Sequence, residues 1–206
     1  MNLFKSRGKF EYALLEYIEG TGEQYIYTGL RMSSNMYVES DLMYTSGTEN
    51  VLIYARDSNT TTSICAFAYM QNSKFRIQFY NKGTEIIDST YRSLNLNQKY
   101  NYKIQLKSGD SFWKLDDVTI ASSTKSLSSY SNGSAIYVLH LGWGSGTSPG
   151  RIYNLKISQG GSLIRDLVPA KRLKDGVVGL YDKVNDKLYT NNGSGEFIQG
   201  KVIGRF

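Results

Sequence analysis

Apolar and polar residues alternate with period two along most of this chain, the pattern of strands with one buried face. In KFRIQFY, residues 74–80, Phe75, Ile77 and Phe79 fall on one side while Arg76 and Gln78 fall on the other. In KYNYKIQLK, residues 99–107, Tyr100, Tyr102, Ile104 and Leu106 make the apolar side against Asn101, Lys103 and Gln105. Such runs predict half-buried antiparallel strands. Between them stand residues that accept positive φ or cap a tight turn: Ser108-Gly109-Asp110, Asp116-Asp117, Asn132-Gly133, Gly160-Gly161, Asn185-Asp186 and Asn192-Gly193. Hairpins are therefore expected in close succession. No window carries a long amphipathic helical pattern, and residues 89–98 are the place for a short helical turn or an irregular loop. Residues 150–197 read as two hairpins joined by a crossing segment that contains Pro169.

Two segments break the alternation and read as loops. RDSNTTTS, residues 56–63, is polar, and GWGSGTSPG, residues 142–150, is rich in glycine around Trp143. Loops on a rigid sandwich are where binding residues collect.

Size and composition narrow the architecture. A chain of 206 residues that is 40% hydrophobic with only 2 Pro buries one core, and sandwiches of this length form a single domain. Seventeen Tyr and 20 Gly suit twisted sheets with aromatic-rich faces. The expectation is an all-β, two-sheet antiparallel β-sandwich over residues 11–206, preceded by an N-terminal arm over residues 1–10. Its 24 Lys+Arg against 18 Asp+Glu give +6, but the basic residues are spread along the chain rather than gathered, so no nucleic-acid partner is expected. MNLFKSRGKFEY lacks the apolar stretch of a signal peptide, and no run approaches 18 apolar residues. The reading is synthesis in a cytoplasm, no membrane insertion, and work outside the cell only after lysis, within a virus particle.

Candidate chemistry is sparse. Cys65, between Ile64 and Ala66, reads as a small buried hydrophobe. His140 is the only histidine and lies in the apolar run AIYVLHLGW, which favours a core or strand-end role over a catalytic base and leaves no histidine-rich metal site. No cofactor is expected. Ca2+ stays open without support, because Asp57, Asp110, Asp116 and Asp117 with loop carbonyls offer oxygens but no EF-hand spacing. Glu39 and Asp41 share one strand face, roughly 7 Å apart by strand rise, a spacing that fits a glycosidase carboxylate pair. The stretch resembles the E-x-D-x-x-E strand of laminarinase-like jelly-roll glycosidases, yet Tyr44 stands where the acid/base Glu belongs. Two solvent-facing carboxylates are the expectation, and no enzyme.

Aromatic residues give the better functional reading. Sugars stack their C–H faces on Trp and Tyr while amides, carboxylates and guanidinium groups bond the hydroxyls. Trp143 is the leading candidate for such a site, with Arg56, Asp57 and Asn59 as polar partners; Trp113, in FWKLDDVTIA, reads as core.

Three stretches together resemble one group of modules: LLEYIEGTGEQYIYTGL (residues 14–30), FWKLDDVTIASS (residues 112–123), and the closing GRIYNLKISQGGSLIRDLVPAKRLKDGVVGLYDKVNDKLYTNNGSGEF. They look like the concanavalin A-like, laminin-G-like jelly-roll modules of bacteriophage virion proteins and bacterial surface proteins. Asp116-Asp117 replaces the usual Asp-Gly of the middle hairpin, and Pro169-Ala170 the usual Pro-Cys. The resemblance implies a non-catalytic virion protein of a tail, head fibre or capsid decoration that binds host-surface carbohydrate. The alternative it implies is a purely structural decoration or cementing subunit, held to other virion proteins through residues 1–10. Weak single sites favour a homo-oligomer.

Overall fold

A computed structural model of the chain describes residues 10–46, 50–55, 66–71, 74–81, 84–88, 92–127, 135–140 and 148–206. Of the arm expected over residues 1–10, only Phe10 falls within them. The described residues form two antiparallel sheets and no helix. One sheet holds β1 (Tyr12–Leu15), β2 (Ile18–Gly20), β4 (Met36–Tyr44), β11 (Lys99–Leu106), β12 (Ser111–Leu115), β13 (Val118–Ser123), β15 (Gly150–Ile152), β16 (Leu155–Gln159), β17 (Ser162–Arg172), β18 (Val178–Asp182), β19 (Lys187–Thr190), β20 (Ile198–Gln199) and β21 (Val202–Arg205). The other holds β3 (Ile26–Arg31), β5 (Asn50–Val51), β6 (Ile53–Ala55), β7 (Ala66–Gln71), β8 (Lys74–Asn81), β9 (Thr84–Asp88), β10 (Arg92–Ser93) and β14 (Ala135–Val138). The first sheet runs β13-β12-β11-β4-β16-β17-β1-β21 and the second β10-β8-β7-β6-β14-β3.

The alternation read from the sequence places the core between the sheets. In β11, Tyr100, Tyr102, Ile104 and Leu106 are buried, and Phe75 and Phe79 of β8 face them from the other sheet. Phe75 meets Trp113 at 4.9 Å and Tyr102 at 5.3 Å between ring centroids. Trp113 is fully buried, the core role its hairpin predicted. Each such side chain, removed from water, contributes about 1.5–3 kcal/mol.

Turn chemistry follows the residue types. Asp116 and Asp117 both take positive φ, 48° and 65°, so the hairpin between β12 and β13 keeps its tight turn without glycine. Gly160 and Gly161 do the same between β16 and β17, at 58° and 84°. The expected turn at Asn132-Gly133 lies outside the described residues. Over residues 92–98 the chain forms the short β10 and then a turn at Asn97, whose φ is 60°, rather than a helical turn.

The Pro-containing segment is a continuous strand rather than a crossover. β17 pairs along one edge first with β16, through Leu167, and then with β1, from Ala170; along its other edge it pairs with β18. Arg172 N–H donates to Val177 O and Asp166 O accepts from Lys183 N–H, so even-numbered residues turn their amides toward β18. The nitrogen of Pro169 therefore faces the gap between β16 and β1, where no partner needs a donor.

Candidate functional site

Trp143, Arg56, Asp57 and Asn59 lie outside the described residues. The strands that lead to them are described. Ile53 pairs with Val138 and Ala55 with Ile136, so the segment after Ala55 and the segment after His140 leave from opposite ends of β14.

The carboxylate strand is visible in full. Glu39 and Asp41 share the outer face of β4, while Tyr44 sits fully buried in the core. Both Asp41 oxygens accept amide hydrogens, Oδ1 from Asn101 Nδ2 at 2.7 Å and Oδ2 from Asn154 Nδ2 at 3.1 Å. The Asp41 N–H donates to Asn154 Oδ1 at 3.0 Å, and its C=O accepts from the Tyr153 N–H. Asp41 thus ties β4 to the break between β15 and β16. Glu39 accepts from the Tyr37 hydroxyl and lies 4.0 Å from Lys103, which pairs more closely with Asp117 at 2.6 Å. These contacts lock the two groups into the sheet surface. Asp116 accepts the Asn101 N–H and Asp110 accepts from Gln105, each within its hairpin. Among the described residues, no three His, Cys, Asp or Glu side chains converge as metal ligands would.

An aromatic surface covers the outer face of the other sheet near its edge. In β3, Ile26 and Thr28 point inward, so Tyr27 points out and is 36% exposed. In β14, Ile136 and Val138 point inward, and the half-buried Tyr137 points out. Tyr27 and Tyr137 are cross-strand partners with ring centroids 5.4 Å apart, tilted by 37°. The surface continues through His140, 5.1 Å from Tyr137, and Tyr25, which meets His140 edge-on at 4.5 Å. The backbone of Tyr54 pairs with Tyr137 on the far side. Burial lowers the His140 pKa from its ordinary 6.5, so the ring is neutral at pH 7 and presents a face rather than a charge.

The loop NNGSG, residues 191–195, holds this surface in place. Among the described residues β3 ends its sheet, and the loop supplies acceptors there through side chains. Asn191 Oδ1 accepts the Tyr25 N–H at 3.1 Å and Asn192 Oδ1 accepts the Tyr27 N–H at 2.9 Å, while the Asn192 N–H donates to Tyr25 O at 2.8 Å. Gly193 permits the approach: a Cβ there falls 2.0 Å from the Glu23 carbonyl oxygen. At the other end Gly29, with φ 72°, leaves room for Tyr189 and for Arg165 Nη2, which lies 3.7 Å from where a Cβ would stand. Arg165 is fixed by the fully buried Asp182, 3.4 Å away.

Tyr25, Tyr27 and Tyr137 are not among the candidates that the sequence pattern singled out. The signal was present in AIYVLH: an otherwise buried strand that carries tyrosine at the position where a solvated strand carries a polar residue. The lone histidine is at the strand end, half-buried.

Comparison with solved structures places the fold. The chain matches a putative carbohydrate binding protein from Bacteroides ovatus with TM-score 0.57 and 11% identity, over 96% of this chain and 61% of that one. It matches domains LG4-5 of the mouse laminin alpha1 chain with TM-score 0.55 and 15% identity, over 77% and 44%. The enzymatically active domain of tailspike protein 2 from bacteriophage CBA120 matches with TM-score 0.50 and 12% identity, over 77% and 30%. The chain thus spans between about a third and three fifths of these structures. No protein-family model and no curated protein matches it. The fold is the concanavalin A-like, laminin-G-like jelly roll that the sequence resembled.

Proposed function

We propose that this chain is a non-catalytic carbohydrate-binding module carried on a bacteriophage particle, and that it holds host-surface glycan on the outer face of β3 and β14. The observation that carries this reading is the cross-strand pair of Tyr27 and Tyr137, extended by His140 and Tyr25 on a solvent-facing sheet. Aromatic faces at this spacing suit the C–H faces of pyranose rings. The Asn192 amide, its oxygen fixed by Tyr27, holds a nitrogen donor at the rim for a sugar hydroxyl. Trp143 follows His140 by three residues in the chain, and Arg56, Asp57 and Asn59 follow the strand that pairs with β14, so all four stay candidates for the same glycan.

The absence of catalysis is supported by the bonding of Asp41 and Glu39 within the sheet surface and by the burial of Tyr44 at the third position of the glycosidase pattern. The phage setting is supported by the fold shared with a tailspike domain, and repeated copies on a particle would strengthen weak single sites. The test is a glycan array and a host cell-wall pull-down with the full chain. Binding that is lost in a Tyr27→Ala/Tyr137→Ala variant and weakened in Trp143→Ala is the expected result. A wild-type chain that binds no glycan, or a double variant that binds as well as wild type while folded, overturns the reading. Labelled antibody against the chain should mark purified phage particles, and release of reducing sugar sensitive to Glu39→Gln would restore the enzyme.

A further inference from the structure

We infer that the glycan taken by the platform is acidic, and that Arg31 and Arg165 bind its carboxylate at the far end of β3; the inference rests on the platform being the glycan site. The register beyond the tyrosine pair leads to that end. Tyr27 pairs with Tyr137, and Ala135, the next outward position of β14, pairs with Arg31. The pairing shifts over this interval, so β3 bulges between Tyr27 and Arg31. Its faces survive the bulge: Thr28 is fully buried and Leu30 packs on the core, while Tyr27, Gly29 and Arg31 are exposed. Arg31 therefore stands on the face of the platform, one row beyond the tyrosines. By the rise of β14 the two rows lie about 7 Å apart, the breadth of a pyranose ring with its exocyclic carboxylate. Ala135 is too small to fill that interval.

The bulge brings a second guanidinium group to the same place. Gly29 takes φ 72°, and Arg165 Nη2 lies 3.7 Å from the point where its Cβ would stand. Arg165 reaches β3 from the other sheet. Its Nη1 donates to Ile164 O at 2.8 Å and its Nε faces Thr28 O and Asp182, each at 3.4 Å, while among the described residues no hydrogen bond takes Nη2. Asp182 is held where it is by the N–H groups of Asp166 and Val184 and by Asn185 Nδ2. Lys187 adds a positive charge 4.8 Å from the centre of the Tyr189 ring, which borders Gly29. An outward arginine alone is ordinary surface chemistry. Beside a guanidinium nitrogen with a donor to spare and a position without a side chain, it makes a place for a planar anion, and a carboxylate matches the guanidinium fork. The acid of the platform is at its other end, where Glu23 accepts from Ser194 Oγ beside Tyr25. The site thus has a direction, with the charged part of the sugar toward Arg31.

The test titrates the full chain with hexasaccharides of galacturonic, glucuronic and mannuronic acid, each beside its carboxyl-reduced, neutral counterpart. The acidic member of at least one pair should bind about tenfold tighter or more, with the ratio falling as salt is raised. Arg31→Gln should cut that ratio severalfold. Arg165→Lys keeps a charge for the buried Asp182 while removing Nη2, and should cut it as well; if that variant fails to fold, Arg31→Gln alone decides. Lys156→Gln, on the outer face of the first sheet, controls for the net charge of +6 and should leave the ratio as it is. Equal binding of acidic and neutral members overturns the inference while the platform reading stands. A ratio that Lys156→Gln lowers as much as Arg31→Gln does, or acid binding that survives Tyr27→Ala/Tyr137→Ala, overturns it too. Binding to no member of any pair also overturns it, and the glycan array then decides the platform by itself.

Discussion

Asn192 Oδ1 accepts the backbone N–H of Tyr27 at 2.9 Å across 165 residues of sequence, so a loop side chain does the work of a neighbouring strand at the edge of the aromatic platform. Removing it in Asn192→Ala leaves that N–H to water, since the bond is exposed, and should cost about 0.5–1.5 kcal/mol in chemical denaturation. Gly193→Ala drives a Cβ into the Glu23 backbone and should cost more, about 1–3 kcal/mol, because backbone rather than a flexible side chain has to move. Both variants should weaken glycan binding in proportion to how far Tyr25 and Tyr27 shift. A Gly193→Ala chain as stable as wild type would show that the loop does not hold β3.

The fold was legible because its strands alternate cleanly and its turns carry the residues that positive φ demands, as β11 and Asp116-Asp117 show. The exchange of partners along β17 was not legible, because Pro169 signals a missing donor without saying which neighbour is absent. The platform was half-legible. Tyr27 and Tyr137 alternate with buried residues and can be read as outward, but their pairing depends on register between strands more than 100 residues apart. The role of Asn191 and Asn192 as acceptors for β3 leaves no local pattern at all, since NNG reads first as a turn.

Tyr44 and Tyr102 place phenol hydroxyls in the core, each the other's polar neighbour, and among the described residues neither makes a hydrogen bond of normal geometry, nor does the indole N–H of Trp113. Burial pushes both phenols well above their ordinary pKa, so both stay protonated. Because its hydroxyl makes no hydrogen bond of normal geometry among the described residues, Tyr102→Phe should be neutral or slightly stabilising. Phe75→Ala, which removes the ring that meets Tyr44, Tyr102 and Trp113, should instead cost about 3–5 kcal/mol. Thermal and urea unfolding of the two variants decide the matter, and a large loss in Tyr102→Phe would show a bond made by that hydroxyl.

His140 links the platform to acid. Its pKa is lowered by burial, so the folded state favours the neutral ring. The corresponding stability is fully present above the unfolded value of 6.5 and is lost as the pH falls through the lower folded value. Other groups titrate on the acid side too, so the measurement is the difference between wild type and His140→Gln: the two melting curves should run parallel above pH 7 and converge below about 6. Glycan affinity should weaken over the same range, as a charged ring presents itself between Tyr25 and Tyr137. Parallel curves throughout would place His140 outside the folded-state linkage.

At the alkaline end, the hydroxyl of Tyr181 donates to Asp186, and this bond, helped by burial and by the carboxylate charge, pushes the Tyr181 pKa up to about 12 from 10.0. Asp186 sits in the turn between β18 and β19 with φ 51°, a conformation that Asn accepts as readily as Asp. Asp186→Asn therefore keeps the turn while removing the charge, and should bring the Tyr181 titration back toward 10. The sign follows from the neutral phenol being the bonded form: its stabilisation is fully present below pH 10 and is lost as the pH rises through about 12. Titration of ¹³C-labelled tyrosine ring carbons should show Tyr181 among the last phenols to ionise in wild type and earlier in the variant. The stability difference between the two chains should shrink over the same interval. A Tyr181 that titrates alike in both would mean that Asp186 serves only the turn.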